Sequence, residues 1–267
     1  MPSYLVTGAS RGLGYGWIAH LASIPGNTVI GTVRNPSATQ ARLAKDNITN
    51  IHLLSVEITD LTSVQQAAQD VAVITGGRLD FLIHNAAFVD DSTAFQTVLD
   101  LSPQDLASSL GASFAPNVVG TTYILGTFIP LIRQGHGKKI LITSTGMADL
   151  DLVCKFDLGV AVPYSVSKAA ANLLVGKYHA AVGRREGTLV FSVSPGFVDT
   201  SEGRQPMEEQ VEGQQAMGAK FADYAPNFKG PIAVEESVGY MVRLLERATV
   251  EEFGGSFVSH YGDRNWL

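Results

Sequence analysis

Tyr164 and Lys168 stand four residues apart, a spacing that puts both side chains on one face of a helix, one turn from each other. A free tyrosine titrates near pH ~10, so acid–base work at neutrality needs its phenolate stabilised. A neighbouring ammonium favours that anion, and a shift of two to three units would take roughly 3–4 kcal/mol. Ser144-Thr145 adds hydroxyls that could hydrogen-bond an oxygen on which negative charge develops. A tyrosine and a lysine at this spacing recur by chance in many helices, so their meaning rests on what else the chain carries.

Thr7-Gly8-Ala9-Ser10-Arg11-Gly12-Leu13-Gly14 follows a short apolar run and leads directly into a helical pattern. Glycines suit a tight turn, a close approach of the backbone to a pyrophosphate and close packing of the helix on the strand. The free N–H groups and positive end of the helix would then receive the phosphates. A merely structural glycine turn is the alternative, and the strand-first context argues against it. The spacing differs from GxGxxG, so by itself it says nucleotide and no more.

NAD-specific proteins of this kind place an acid after the second strand, to hold the ribose 2′-hydroxyl. This chain reads Gly31-Thr32-Val33-Arg34-Asn35 there. A carboxylate would repel a 2′-phosphate, whereas a guanidinium binds one bidentately. Arg34 and Arg11, with Ser10 as a further donor, therefore form a candidate clamp for NADP(H). Either arginine alone would read as an ordinary solvated charge.

The elements that position these residues alternate between short apolar runs and helical patterns, the signature of a parallel sheet covered on both faces. The predicted strands are Ser3–Thr7, Thr28–Val33, Ile51–Glu57, Phe81–His84, Lys139–Thr143, Leu189–Val193 and Ser256–Ser259. Leu13, Trp17, Ile18 and Leu21 mark a first helix stopped by Pro25-Gly26; Asp60 caps another, with Val64, Ala67, Ala68, Val71 and Ile74 as its buried stripe and Gly76-Gly77 at its end. Ser102-Pro103 starts a helix that Gly111 and Pro116 should kink or break before it ends near Arg133, and Pro163 opens one that runs to about Glu186. Residues 201–229 are poorly patterned and read as a substrate-binding lid.

Taken in chain order, these motifs resemble those of the short-chain dehydrogenase/reductase family across essentially the whole chain. Thr7-Gly8-x-x-x-Gly12-x-Gly14 is similar to its cofactor motif, and His84-Asn85-Ala86-Ala87 to its Asn-Asn-Ala-Gly; Asn117, Ser144-Thr145, Tyr164-x-x-x-Lys168 and Pro195-Gly196-Phe197-Val198-x-Thr200 come after them. The resemblance is strongest to carbonyl- and ketoreductase-like members. It implies a single α/β domain, residues 1–267, with a Rossmann-type doubly wound sheet of seven parallel strands in the order 3-2-1-4-5-6-7 and helices on both faces.

The resemblance also implies roles. Gly8, Ser10, Arg11, Gly12, Leu13, Gly14 and Arg34 would hold the phosphates, Glu57 the adenine in place of an aspartate, and Asn85 and Ala86 the adenosine half. Pro195, Gly196, Phe197, Val198 and Thr200 would flank the nicotinamide carboxamide, while Tyr164 and Lys168 serve both catalysis and the nicotinamide ribose. Asn117 would hold a proton-relay water on its backbone, with Pro116 before it a departure from the pattern. The substrate hydroxyl is either Ser144 or Thr145: ungapped counting from Asn117 favours Thr145, and the long stretch up to Tyr164 favours Ser144. The implied activity is reduction of a ketone or aldehyde to an alcohol by hydride transfer, with Tyr164 as proton donor and Lys168 lowering its pKa.

Composition narrows the remaining classes. A formal net charge of −6 argues against nucleic-acid binding, and a single cysteine, Cys154, points to a reducing compartment, the cytoplasm. No apolar run approaches a membrane span, Met1 leads straight into Tyr4-Leu5-Val6 with no room for a signal peptide, and no metal-ligand spacing stands out. The sequon at Asn47 would be silent in the cytosol. Only 16% of residues are charged against roughly 25% in typical soluble proteins, which suggests a homodimer or homotetramer. Pocket candidates are Met147, Leu152, Val153, Phe156, Phe197, Met207, Met217 and Tyr224. The lid carries five acids (Glu202, Glu208, Glu209, Glu212, Asp223) against three bases (Arg204, Lys220, Lys229), which favours a small apolar carbonyl compound over a phosphorylated one. Two other readings are an epimerase or dehydratase that shares the tyrosine–lysine pair, against which the glycine spacing speaks, and a non-catalytic NADPH-binding protein.

Overall fold

The computed structural model describes residues 1–203 and 208–267, and the side chains of these apart from Glu208 and Glu209. Seven strands form one parallel sheet: β1 (Ser3–Thr7), β2 (Thr28–Val33), β3 (Ile51–Ser55), β4 (Phe81–His84), β5 (Lys139–Thr143), β6 (Leu189–Ser194) and β7 (Phe257–Ser259), in the order β3-β2-β1-β4-β5-β6-β7. Between them run α1 (Gly12–Ala22), α2 (Pro36–Lys45), α3 (Leu61–Thr75), α4 (Pro103–Phe114), α5 (Thr121–Gln134), α6 (Leu150–Lys155), α7 (Val162–Glu186), α8 (Glu208–Tyr224), α9 (Val234–Arg247) and α10 (Val250–Phe253). The fold is the Rossmann-type arrangement that the alternating pattern predicts.

Neighbouring residues of each strand serve opposite faces of the sheet. Val6 joins Trp17, Ile18, Phe191, Val238 and Met241 under α1, α9 and α10, while Leu5 joins Val64, Ile124, Phe128 and Val175 under α3, α5 and α7. Thr7 lies level with Thr32 on one side and His84 on the other, so β1 and β4 end together and β2 one residue further on. Strand order reverses between β1 and β4, and there the carboxyl ends of the strands open a crevice.

Three details depart from the sequence reading. β3 ends at Ser55 rather than Glu57: Val56 still bonds Val33, but Glu57 N donates to Ser63 Oγ and its carboxylate accepts from Thr59, so the chain has already turned. The helix from Ser102 is kinked in an unexpected way. Pro116 removes one backbone donor, and the chain absorbs the loss in a π turn, Ala115–Gly120, so that helix continues from Pro103 to Gln134. By length and composition that run could cross a membrane, but Ile124, Leu125, Phe128 and Ile132 are fully buried in the core. Thirdly, most of the expected lid is one helix, α8.

At the opposite, amino ends of the central strands a carboxylate fixes three chain segments. Asp80 is buried and accepts from Ser3 N and Oγ through one oxygen, and from His136 N and Gly137 N through the other. Burial alone would raise its pKa, but these bonds outweigh it and hold the group below the usual carboxylate range. Asp80→Asn turns an amide N–H₂ toward one pair of donors and should cost about 1–3 kcal/mol in urea unfolding. A loss within experimental error would show that the four bonds contribute nothing net.

Candidate active site at the carboxyl ends of the strands

The glycine turn is built to a tight tolerance. Gly8 and Gly12 adopt left-handed backbone, φ 69° and 52°, and a Cβ on Gly14 would sit 2.1 Å from the Gly8 carbonyl oxygen. Ala9 N donates to Thr32 O, and Thr7 Oγ1 accepts from Asn85 N and Ala86 N, both at 3.1 Å. The phosphate turn and the loop after β4 are therefore one unit. Arg11 stands at the N-cap of α1 without a side-chain cap bond, and Arg34 follows β2; both are exposed and neither forms an ion pair with a described residue. Ser10 is exposed beside them, and Leu13 is half-buried. The glycine backbone, at a helix start where the N-cap residue Arg11 itself makes no side-chain cap bond, fits a dinucleotide pyrophosphate.

The catalytic candidates converge at the end of β5. Lys168 is buried and its Nζ donates to Thr143 O at 2.5 Å, which brings the inner face of α7 to the residue just before Ser144. Ser144 N still bonds Val193 O, so this residue extends the β5–β6 pairing, while its buried Oγ has no partner among the described residues. Thr145 differs: its Oγ1 accepts from Met147 N and caps the short turn Gly146–Ala148. Burial pushes the Tyr164 phenol up to about 12 and the Lys168 ammonium down to about 8. For both groups the cause is loss of water around the charged form.

Asn117 sits in the π turn and works through its side chain. Its Oδ1 accepts from Phe88 N at 2.7 Å, and its Nδ2 donates to Phe88 O and to Ser167 Oγ, both at 2.9 Å. Ser167 Oγ in turn donates to Tyr164 O. The backbone oxygen of Asn117, expected to hold a water, accepts from Thr121 Oγ1. That hydroxyl also meets His84 Nε2 at 2.9 Å, while His84 Nδ1 meets Thr7 Oγ1 at 2.7 Å. His84 links the phosphate turn to the π turn, a role the sequence reading did not give it. Burial first, and the Lys168 cation second, lower its pKa to about 3.

A family model described as short chain dehydrogenase matches residues 3–211. The chain belongs to that family. Short-chain dehydrogenase/reductase AacuF of Aspergillus aculeatus is 48% identical over 267 residues, all of both chains, and short chain dehydrogenase virK of Hypocrea virens is 44% identical over 272, again over all of both. Among solved structures, NADPH-bound carbonyl reductase from chicken fatty liver superposes with a TM-score of 0.77 at 23% identity, covering 98% of each chain. Carbonyl reductase Sniffer of D. melanogaster gives 0.76 at 20%, also over 98% of each. At such identities the likeness is one of fold.

In this short-chain dehydrogenase the remaining candidates fall in two groups. Phe197, half-buried after Pro195-Gly196, packs its ring on Phe221 and Phe228 at centroid distances of 5.3 and 5.9 Å; Val198 bridges to Ile232 and Thr200 packs on Gly12. Leu152, Val153, Phe156, Met217 and Tyr224 join the same apolar cluster, but Met147 does not, because its segment is turned into the Thr145-capped turn. Met207 lies outside the described residues. Phe221, Phe228 and Trp266 also belong to the cluster and were not foreseen, since they come from α8 and the segments after it and after β7. Glu57 is exposed and bonds within its own turn, so its placement does not distinguish an adenine contact from a local one. A cleft of about 220 Å³ opens beside Phe156, Tyr224 and Trp266, with Asp149, Asp151, Lys155 and Arg264 also in its walls; Tyr164, Ser144 and Lys168 do not line it.

The buried imidazole gives the site a pH signature. His84 binds a proton near 6.5 when unfolded and near 3 when folded, so the unfolded state holds more protons between these values. Stability is full above about pH 6.5 and falls as pH drops below it, by at most about 2 kcal/mol at pH 5 from this residue. His260, lowered by burial to about 4, adds in the same direction. His84→Asn should therefore flatten the fall in thermal midpoint between pH 7 and pH 5; an unchanged slope would show that His84 is not the source of the acid sensitivity.

Proposed function

We propose that this short-chain dehydrogenase is an NADP(H)-dependent reductase that converts a small apolar ketone or aldehyde to an alcohol. The observation that carries the reading is the Lys168 Nζ–Thr143 O bond, which ties α7, the helix that also carries Tyr164, to the end of β5, where Ser144 has a buried hydroxyl without a partner among the described residues. Bound NADPH supplies the hydride. Ser144 would donate a hydrogen bond to the substrate oxygen, and Tyr164 would give that oxygen its proton. A phenol near 12 is protonated throughout the neutral range, which suits donation to an alkoxide. Lys168, still a cation below about pH 8, would stabilise the phenolate left behind and hold the nicotinamide ribose. Thr145 is the poorer hydroxyl candidate because it already caps a turn.

Arg34 and Arg11, exposed and free of described ion-pair partners at the ends of β2 and β1, favour NADPH over NADH. A panel of carbonyl compounds followed by NADPH absorbance tests the whole reading. Arg34→Asp should reverse the cofactor preference. Tyr164→Phe should abolish turnover with NADPH affinity nearly intact, and Ser144→Ala should lose roughly a hundredfold while Thr145→Val changes little. Equal use of NADH by the unmodified protein refutes the cofactor assignment, and an active Tyr164→Phe refutes the mechanism. Tight NADPH binding with no turnover of any carbonyl would make the protein a binding protein instead.

The protein acts as a homodimer or homotetramer in this reading. Val119 beside α5, and Val166 and Leu173 on α7, leave 43%, 44% and 67% of their surface exposed, apolar area that a second copy would cover. Light scattering that gives a monomer at micromolar concentration would contradict it.

A further inference from the structure

Gly12 N, the first donor of α1, is not left to solvent. It donates to Oε1 of Glu202 at 3.0 Å, across 190 residues of sequence, and the same oxygen accepts from Arg42 of α2 at 2.7 Å. The chain after β6 is shaped to bring the carboxylate there. Asp199 Oδ1 accepts from Ser201 N, Thr200 packs on Gly12, and Glu202 and Gly203 both take left-handed backbone, φ 53° and 81°. That conformation is uncommon for glutamate and turns its side chain back onto the helix end. Arg42 is fixed from its other side: its guanidinium lies 3.8 Å from the centroid of the Tyr15 ring, and Tyr15 donates its hydroxyl to Asp46 at 2.5 Å.

A carboxylate between a helix N-terminus and an arginine fork occupies the position a phosphate takes at such a site. We propose that Glu202 is an internal anion standing in the pyrophosphate's place, that the dinucleotide must displace it, and that Arg42 then becomes a ligand of the pyrophosphate. The inference rests on the dinucleotide reading of the glycine turn. Displacement exchanges one anion for another at Gly12 N and at Arg42, so both donors keep an anionic partner. Arg42 keeps its place because the stack on Tyr15 does not involve Glu202. The pyrophosphate is common to both nicotinamide cofactors, unlike the 2′-phosphate that Arg34 and Arg11 would read.

The test is titration of the full-length protein with NADPH, NADH and inorganic pyrophosphate, by calorimetry. Glu202→Gln keeps an oxygen for Gly12 N but loses the charge, and Glu202→Ala loses both. Affinity for both cofactors should rise in that order, by roughly five- to tenfold for alanine, the scale of one charge-assisted bond within a half-exposed pair. Pyrophosphate should bind the alanine variant measurably more tightly than the unmodified protein. Arg42→Ala should weaken NADPH and NADH alike by a similar factor, and Arg42→Lys should be intermediate. Wild-type or weaker cofactor affinity in both Glu202 variants overturns the proposal, as does an effect confined to NADPH, which would place the pair at the 2′-phosphate. Failure of Arg34→Asp to alter cofactor preference would count against the NADP(H) reading and leave the Glu202 result standing; binding of neither cofactor by any variant would end both.

Discussion

An ammonium buried without a carboxylate is the constraint around which this molecule is arranged. Lys168 is 3% exposed, its bond is to a backbone carbonyl, and no ion pair to it is found among the described residues. Desolvating such a group costs several kcal/mol, and an ordinary core would replace it with an apolar side chain. Its surroundings are consistent with its being kept for its charge. The nearby imidazole of His84 is held neutral, the phenol one turn away stays protonated, and hydroxyls rather than acids fill the gaps. A carboxylate among these groups would neutralise the Lys168 charge.

The hydroxyl network is a result of that choice. With His84 neutral, its two nitrogens divide into one donor and one acceptor, and each meets a threonine. Thr7 passes the connection to the loop carrying Asn85 and Ala86, Thr121 passes it to Asn117, and Asn117 reaches Ser167 and so the backbone of Tyr164. The glycine turn and the backbone of Tyr164 are thus joined by a chain of hydrogen bonds. Lys168 lowers the affinity of His84 for a proton, so the ammonium itself helps to keep the network in its neutral form.

Much of this was legible in the sequence because it is written in local pattern. The strands, the glycine turn, the stripe of α3 and the proline that opens α7 each depend on residues a few positions apart, and β1, β2, β4 and β5 have the bounds their apolar runs predict. What escaped depends on distance. His84 reads as the first letter of a loop motif, and only the register of β1 against β4 shows that its ring faces Thr7. The aromatic wall draws Phe221, Phe228 and Trp266 from three separate segments, and Glu202 meets Gly12 from the far end of the chain. Tyr164 is instructive in another way: i to i+4 spacing puts Lys168 one turn away on the same helix, but spacing carries no information on how much water remains, and burial raises the phenol's pKa.

The π turn at Ala115–Gly120 has a mechanical meaning as well as a positional one. A turn of this type holds one residue more than an α turn, so it shifts the angular phase of the helical segment before it relative to the segment after it. α5 presents Ile124, Phe128 and Ile132 to the core, and its rotation is set by that packing. α4 lies on the other side of the phase shift and packs against α7. The two halves of one continuous helix can therefore answer to different demands, the sheet for α5 and the outer surface for α4.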